Sequence, residues 1–441
     1  MPGPINNFKK SHEISDKFHK IVPAASHTYS KGEDQFPDNS PKIMASADGA
    51  YCWDVDNNKF IDWAMGNRVF ILGHNNKVVN DAVIKAIHKG LNFTRPGILE
   101  YELAEFLVDL LPVAEMVKFG KNGSDATAAA IKLSRAFTGR NYIGICKDHP
   151  FFGIHDWFIG TTAANAGIPE EVQQFGLHFE YNNIESVQKL FDEHPKQIAC
   201  LILEPVKNDE PKDDFLQKLK TLCEKEGTVL IFDEMISGVR FDIRGAQHLY
   251  KVYPHLTTFG KCISNGYSFS LIAGKKEIME LGGLKHDKRK VFLMSQTHGS
   301  ETTGLAAAMA TLKECIRLDI NKHTWGLGKK LKEEFNKLAK ANGVEKYVRI
   351  IGFDCNPQII CTKENGSSWP ELHTSFHEEV ISWGVLIPWI SITYAHTDKE
   401  LEITLKALDE GMKKVKNILA SGNVNVSFIG EAVKPVFREY N

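Results

Sequence analysis

The chain predicts an α/β fold, with a large, mostly parallel sheet domain and a small α+β domain, on three observations. Short, wholly apolar runs such as Ile198–Leu203 and Val229–Phe232 alternate with helical stretches, the pattern of parallel strands covered on both faces. Beyond them, Leu331, Phe335 and Leu338 fall on one helical face before Gly343, and Leu401, Leu405, Leu408, Met412 and Val415 repeat that spacing. At 441 residues and 43% hydrophobic content, the chain is long enough to bury two cores.

In chain order, residues 1–75 read as an N-terminal arm and part of the small domain, with short strands around Tyr51–Asp54 and Phe60–Asp62. Residues 76–315 form the large domain, and 316–441 the C-terminal small domain with an extra tail. Within the large domain, Val291–Met294 reads as strand-like, and the basic cluster Lys285–Lys290 before it as a solvated loop. The tail from Ser421, which includes Val424–Ile429, leaves two placements open: an added strand or a cover over a dimer. No internal repeat, low-complexity tract or linker interrupts the chain.

Composition excludes several functions. A net charge of −2 and a pI near 6.8 provide no basic field for nucleic acid or an anionic membrane. Eight cysteines lie scattered without a CxxC pair or a zinc spacing, so they read as reduced core residues and no metal is expected. The N-terminus lacks an apolar segment of signal-peptide length and no run approaches membrane-spanning length, which makes a cytoplasmic location the expectation. Gly-x-Gly-x-x-Gly after a first strand, a Gly-Lys-Ser/Thr loop and HExxH are all absent, against a dehydrogenase, a P-loop phosphotransferase and a metal hydrolase.

Three segments carry chemistry. Asp233 closes the apolar run Val229–Asp233, and the carboxyl ends of such strands are where open α/β sheets bind ligands. Lys261 follows in Thr-Thr-Phe-Gly-Lys-Cys-Ile-Ser-Asn-Gly, residues 257–266. Gly120-Lys-Asn-Gly-Ser-Asp125 is a polar turn ahead of Ala126–Arg135, which has strong helix propensity. Gly123 admits close backbone approach, Ser124 offers a hydroxyl, and the free amides of a helix start favour an anion. Singly, each has a plain reading: a solvated loop lysine, a turn-capping aspartate, and a helix capped by Ser124 or Asp125. Together they match the three requirements of pyridoxal phosphate: covalent attachment to a lysine, a carboxylate that keeps the ring nitrogen protonated, and an anchor for the phosphate.

More pieces fall into order along the chain. They are Asp48–Asp56 running to Phe60–Asp62, Leu72-Gly-His74-Asn75, Asn122–Ala126, Ile198–Pro205, Phe232-Asp-Glu-Met235 with Gly238, Gly260-Lys261, and Thr297 ahead of an Ala-rich helix. With these the chain, from about residue 21 to 419, resembles the class III aminotransferases of fold type I, in the branch of glutamate-1-semialdehyde aminomutase. The resemblance implies that Lys261 holds pyridoxal phosphate, Asp233 pairs with its ring nitrogen, and Gly123 with Ser124 binds the phosphate. It also implies a homodimer in which Thr297 reaches the neighbouring subunit's phosphate. Phe151 stands where this branch carries a tyrosine and is expected to stack on the cofactor ring, its plain alternative being core packing. Glu204 is expected to support the site from behind, and His155 and Asp156 either line the pocket or are solvated.

Two departures bear on substrate. Lys31 falls where the aminomutase uses an arginine for its substrate carboxylate, so a point charge replaces a bidentate fork. The segment Gly384–Thr397 is shorter than the aminomutase's and lacks its active-site glutamate. His27-Thr-Tyr-Ser-Lys31 followed by Asp34–Pro37 resembles instead the aminotransferases of bacterial surface polysaccharides, including the one that aminates an oxidised octulosonic acid for lipopolysaccharide. That resemblance implies amine transfer from glutamate to a keto or aldehyde sugar acid. His27, Tyr29 and Lys31 are the first candidates for holding it, ahead of Asn67, Arg68, Arg95, Thr393 and His396. The alternatives are a glutamate-1-semialdehyde aminomutase, a sugar dehydratase using the same cofactor, or a degenerate binding protein; intact Lys261 and Asp233 oppose the last.

Overall fold

The computed structural model describes residues 4–149, 151–424 and 427–440. They divide into two compact units. The smaller comprises the residues up to Asn76 and Lys322–Val436, the larger Lys77–Asn321 with the residues from Phe437 on.

The chain begins in the smaller unit with strands β1 (Met44–Asp48), β2 (Tyr51–Asp54) and β3 (Lys59–Asp62). It then lays out the larger unit as β4 (Met116–Gly120), β5 (Tyr142–Cys146), β6 (Gly176–Phe179), β7 (Ile198–Leu203), β8 (Val229–Asp233), β9 (Leu256–Phe259) and β10 (Ser270–Gly274). It returns to the smaller unit with β11 (Val348–Phe353), β12 (Asn356–Cys361) and β13 (Val385–Leu386).

The seven strands of the larger unit form one sheet in the order β4-β10-β9-β8-β7-β5-β6. Every neighbouring pair from β9 to β6 is parallel, while β10 runs antiparallel to both β9 and β4. Six strands therefore point one way, as the continuous apolar runs predicted. Residues of β7 and β8 are buried on both faces because helices cover both sides. One face packs Ile143, Cys200, Ile202 and Ile231 against Ala130 and Leu133 of the helix Gly123–Thr138; the other packs Leu201, Leu203 and Leu230 against Leu190 and Leu219 of the helices Ile184–Glu193 and Phe215–Glu226.

In the smaller unit β1, β2 and β3 are antiparallel and β13 joins β3 in parallel, while β11 and β12 make a separate hairpin. The two amphipathic repeats form the helices Ile320–Asn342 and Asp398–Ser421. Leu331 and Phe335 of the first, and Leu408, Met412 and Val415 of the second, close one core with Trp63 and Phe376. All eight cysteines are buried and free.

One local expectation differs from the structure. Val291–Met294 lies outside any strand; Val291 N donates to the Leu281 carbonyl, Lys132 Nζ to the Phe292 carbonyl, and the segment is anchored by the buried side chains of Val291 and Leu293. Its alternating burial arises from packing under a loop rather than from sheet pairing. In the tail, residues 425 and 426 of the stretch Val424–Ile429 lie outside the described residues, and residues 427–440 form no strand.

Candidate functional site

Parallel strands put their carboxyl ends on one edge of a sheet, and here that edge gathers the chemistry of the larger unit. Beyond β4 comes the turn Lys121–Ser124, beyond β5 His149 and Phe151, beyond β7 Glu204; Asp233 ends β8, and Gly260 with Lys261 follows β9. β7 and β8 pair Leu203 with Phe232, and β8 pairs Asp233 with Thr258 of β9, so Glu204 flanks Asp233 on one side and Thr258 on the other.

Asp233 is buried, and its Oδ1 accepts from Met235 N at 3.0 Å and Thr258 Oγ1 at 3.2 Å. Burial, with the charge of Glu204 adding to it, pushes its pKa up to about 7; the Lys261 ammonium and the two donors pull the other way. Lys261 therefore lies within electrostatic reach of Asp233. Its backbone is left-handed at φ 48°, an uncommon conformation for a side chain with a Cβ, as it opens the short turn Lys261–Ser264. Glu234 faces away from this pair, its carboxylate accepting from Ser237 Oγ, Ala246 N and Gln247 N, which fixes the loop behind β8.

The helix ahead of which the phosphate seat was read begins earlier than expected, at Gly123, with Asn122 as its cap. Asp125 Oδ2 accepts from Asn122 N at 2.9 Å, so the capping role falls to these two and Ser124 lies within the first turn. Ser124 Oγ accepts from Ile154 N at 3.1 Å, and Thr127 Oγ1 donates to the Phe152 carbonyl at 2.7 Å, which holds the loop carrying Phe151 against the start of the helix. The turn is held from the other side as well. Ser268 Oγ and Ser270 Oγ donate to the carbonyls of Lys121 and Asn122, and Lys121 Nζ pairs with Glu301 at 2.8 Å, just before the helix Thr302–Leu318.

Sequence reasoning missed three residues. Met235 fills the space between the turn Lys121–Ser124 and Gly260: a Cβ on Gly123 would stand 2.8 Å from its sulfur, and one on Gly260 2.6 Å. The Thr258 hydroxyl orients Asp233. His149 Nδ1 accepts from Glu204 N at 3.0 Å, and burial beside Lys207 depresses its pKa to about 3, so the neutral ring links the loop of Phe151 to the end of β7. None has a motif of its own. The sequence signals were the small residues facing Met235 and the Thr-Thr pair in β9.

The remaining predicted residues belong to both units. Phe151 is half-exposed, its ring stacked on Phe437. Thr297 is exposed, and its carbonyl accepts from Asn92 Nδ2 at 2.9 Å. His155 precedes the short helix Asp156–Ile159 as its cap residue. His27, Tyr29 and Lys31 are exposed in the smaller unit, on the arm whose turn spans Tyr29–Lys31. Asn67 and Arg68 lie there in a left-handed turn, at φ 74° and 65°. Thr393 and His396 are buried and bonded to each other, and His396 stacks on Trp63 at 4.1 Å; both belong to the core of that unit.

The model of the family described as aminotransferase class-III matches residues 33–419. The chain belongs to the class-III aminotransferases. A glutamate-1-semialdehyde 2,1-aminomutase of Francisella philomiragia is 32% identical over 390 residues, covering 83% of this chain and 89% of that protein. Two solved structures share the fold: the FumI protein of Sphingopyxis sp. MTA144 in a PLP form, with TM-score 0.85, 24% identity and 93% and 97% of the two chains covered, and an omega-transaminase of Sphaerobacter thermophilus, with TM-score 0.83, 22% identity and coverage of 91% and 97%. As a class-III aminotransferase the enzyme depends on pyridoxal phosphate and works between a small-molecule amine donor and acceptor.

The strand-end edge suits that cofactor on three counts. A buried acid stands within electrostatic reach of a lysine, Gly123 and Gly260 both lie against the Met235 side chain with no Cβ of their own, and a helix start carries a hydroxyl whose oxygen already accepts a bond, leaving its proton to donate.

Proposed function

We propose that this aminotransferase moves an amine from glutamate to a keto or aldehyde sugar acid, of the kind exemplified by an oxidised octulosonic acid of lipopolysaccharide. The observation that carries the assignment of the reacting edge is buried Asp233 at the end of β8, within reach of the charge of Lys261 after β9, on the same sheet edge as the Gly123–Ser124 helix start. When bound, pyridoxal phosphate supplies an electron sink for the substrate carbon that loses a proton. Lys261 would anchor it, and its Nζ is the base available to hold the proton that leaves the substrate carbon. Asp233, kept dry, favours a proton on the ring nitrogen. Gly123 and Ser124 with the helix start would hold the phosphate, and Phe151 would pack against the ring.

For the acceptor, His27, Tyr29 and Lys31 supply exposed polar groups, and the Lys31 ammonium suits a carboxylate approached without a fixed bidentate geometry. The same substitution, with the missing glutamate in Gly384–Thr397, speaks against an intramolecular amine shift. A second reading, glutamate-1-semialdehyde aminomutase, is favoured by the name of the Francisella relative.

The working unit is proposed as a homodimer. In the larger unit the apolar side chains Ile84, Ile87, Leu91, Phe93, Ile98 and Tyr101 are all exposed within one stretch of chain, and Asn92 of that stretch holds Thr297. A second copy covering this stretch would meet Thr297 as well.

The test is spectroscopic. Purified enzyme is expected to be yellow, to lose that absorbance with borohydride, and to be bleached by glutamate with release of 2-oxoglutarate, while Lys261→Ala abolishes turnover. Isomerisation of glutamate semialdehyde without release of 2-oxoglutarate would replace the first reading by the second.

A further inference from the structure

The chain continues past the part matched by the family, which ends at residue 419. In the smaller unit this tail is held by Ser427 Oγ to Ser375 Oγ at 2.9 Å, Ile429 N to Glu378 Oε1 at 3.0 Å, Val433 N to Thr374 Oγ1 at 3.0 Å, and Gln35 Nε2 to the Lys434 carbonyl at 2.9 Å. From Phe437 on, the tail belongs to the larger unit. The Phe437 ring lies on Phe151 with centroids 6.4 Å apart and planes inclined by 22°, and meets Phe158 edge-on at 6.2 Å and 84°. Phe158 in turn takes Phe151 and Phe152 edge-on at 5.8 and 5.7 Å.

Phe151 is half-exposed even with this neighbour in place. Its loop is pinned at Phe152 and Ile154 to the helix start, while the Phe151 ring itself has aromatic contacts only with Phe158 and Phe437 among the described residues. A half-exposed aromatic ring with one face unsupported is free to exchange rotamers.

We infer that Phe437 is a positioning residue for the cofactor site: it fixes the ring of Phe151, and through the loop 151–154 the hydroxyl of Ser124. A segment outside the matched family region thereby contributes to how tightly pyridoxal phosphate is held. This inference rests on the proposed assignment of Phe151 and Ser124 to the cofactor.

The experiment compares full-length wild type, Lys261→Ala, Phe437→Ala, Phe437→Leu and Phe437→Tyr after removal of cofactor, titrating pyridoxal phosphate by visible absorbance and following thermal unfolding of each cofactor-free chain. Phe437→Ala is expected to bind roughly two- to tenfold more weakly, the equivalent of one lost ring–ring contact, with Phe437→Tyr restoring wild-type affinity. Equal affinity of Phe437→Ala and wild type overturns the inference while leaving the site intact. Should the alanine chain fail to fold, Phe437→Leu decides, since it keeps bulk without a flat ring: weakened binding supports the role and wild-type binding ends it. Absence in wild type of any absorbance that depends on Lys261 would remove the site assignment itself, and the inference with it.

Discussion

Glu204 and Asp233 end neighbouring parallel strands one residue past the paired Leu203 and Phe232, so two buried carboxylates stand side by side. Burial is the larger reason that Asp233 is raised to about 7, and the charge of Glu204 is the second. An unfolded aspartate titrates near 3.9, so between about pH 4 and 7 the cofactor-free native chain binds a proton that the unfolded chain has released. Stability from this source is complete below pH 4 and is lost as pH rises through 7. Glu234, raised to about 7 by burial, acts with the same sign. Asp233→Asn should therefore flatten the decline in stability from acid to neutral pH by on the order of 2–4 kcal/mol, read from urea midpoints of cofactor-free protein. An unchanged slope would mean that Asp233 titrates normally.

Glu204→Gln removes the second cause and keeps the first. Asp233 should then titrate closer to the ordinary carboxylate range, and the pH at which that stability loss is centred should move down. The backbone N–H of Glu204, which donates to His149, is untouched by the substitution, so the loop of Phe151 should keep its place.

Gly123→Ala tests the cradle. The new Cβ would fall 2.8 Å from the Met235 sulfur and 3.3 Å from its methyl, so the thioether must shift. We expect a stability loss of about 1–3 kcal/mol and weaker cofactor binding, both measured on purified protein. Met235→Ala should open room for that Cβ and recover much of the lost stability in the double variant, because the two sites touch and their effects are not additive. Simple additivity would place Met235 elsewhere.

Lys31→Ala should raise KM for an acidic acceptor by about tenfold, the usual loss for a hydrogen bond to a charged group. The reaction with a neutral acceptor should be spared. Lys31→Arg should restore the acidic substrate, and equal effects on neutral and acidic acceptors would deny Lys31 a role in charge recognition.

How far these features could be read in advance depends on whether they are local. The strand ends Glu204 and Asp233 were legible because continuous apolar runs announce parallel strands, and their topology puts every such end on one edge. Lys261 and Ser124 stood out as members of an ordered set, since singly each reads as a loop lysine or a helix cap. Met235, Thr258 and His149 were not, since each acts through a neighbour far along the chain: Met235 through Gly123 and Gly260, Thr258 through Asp233, His149 through the amide of Glu204. Val291–Met294 misled for the converse reason: its apolar run packs against Leu281 and Gly282 without a partner strand. The contact of Phe437 with Phe151 joins residues 286 positions apart and leaves no periodic trace.

Sharing of the site between subunits makes the last prediction. If each cofactor is attached to one subunit's Lys261 while its phosphate is reached by the partner subunit's Thr297, Lys261→Ala and Thr297→Asp damage complementary halves of every site. Each homodimer should then be inactive, the first for want of the amine and the second because a carboxylate faces the phosphate. A mixed dimer has one site with both defects and one with neither. Unfolding and refolding the two chains together should produce activity that neither parent shows, and size-exclusion chromatography should place that activity in the dimer fraction. Mixed dimers without activity would assign Thr297 to its own subunit's site or to no site, and would leave the exposed stretch from Ile84 to Tyr101 without a catalytic reason to be covered.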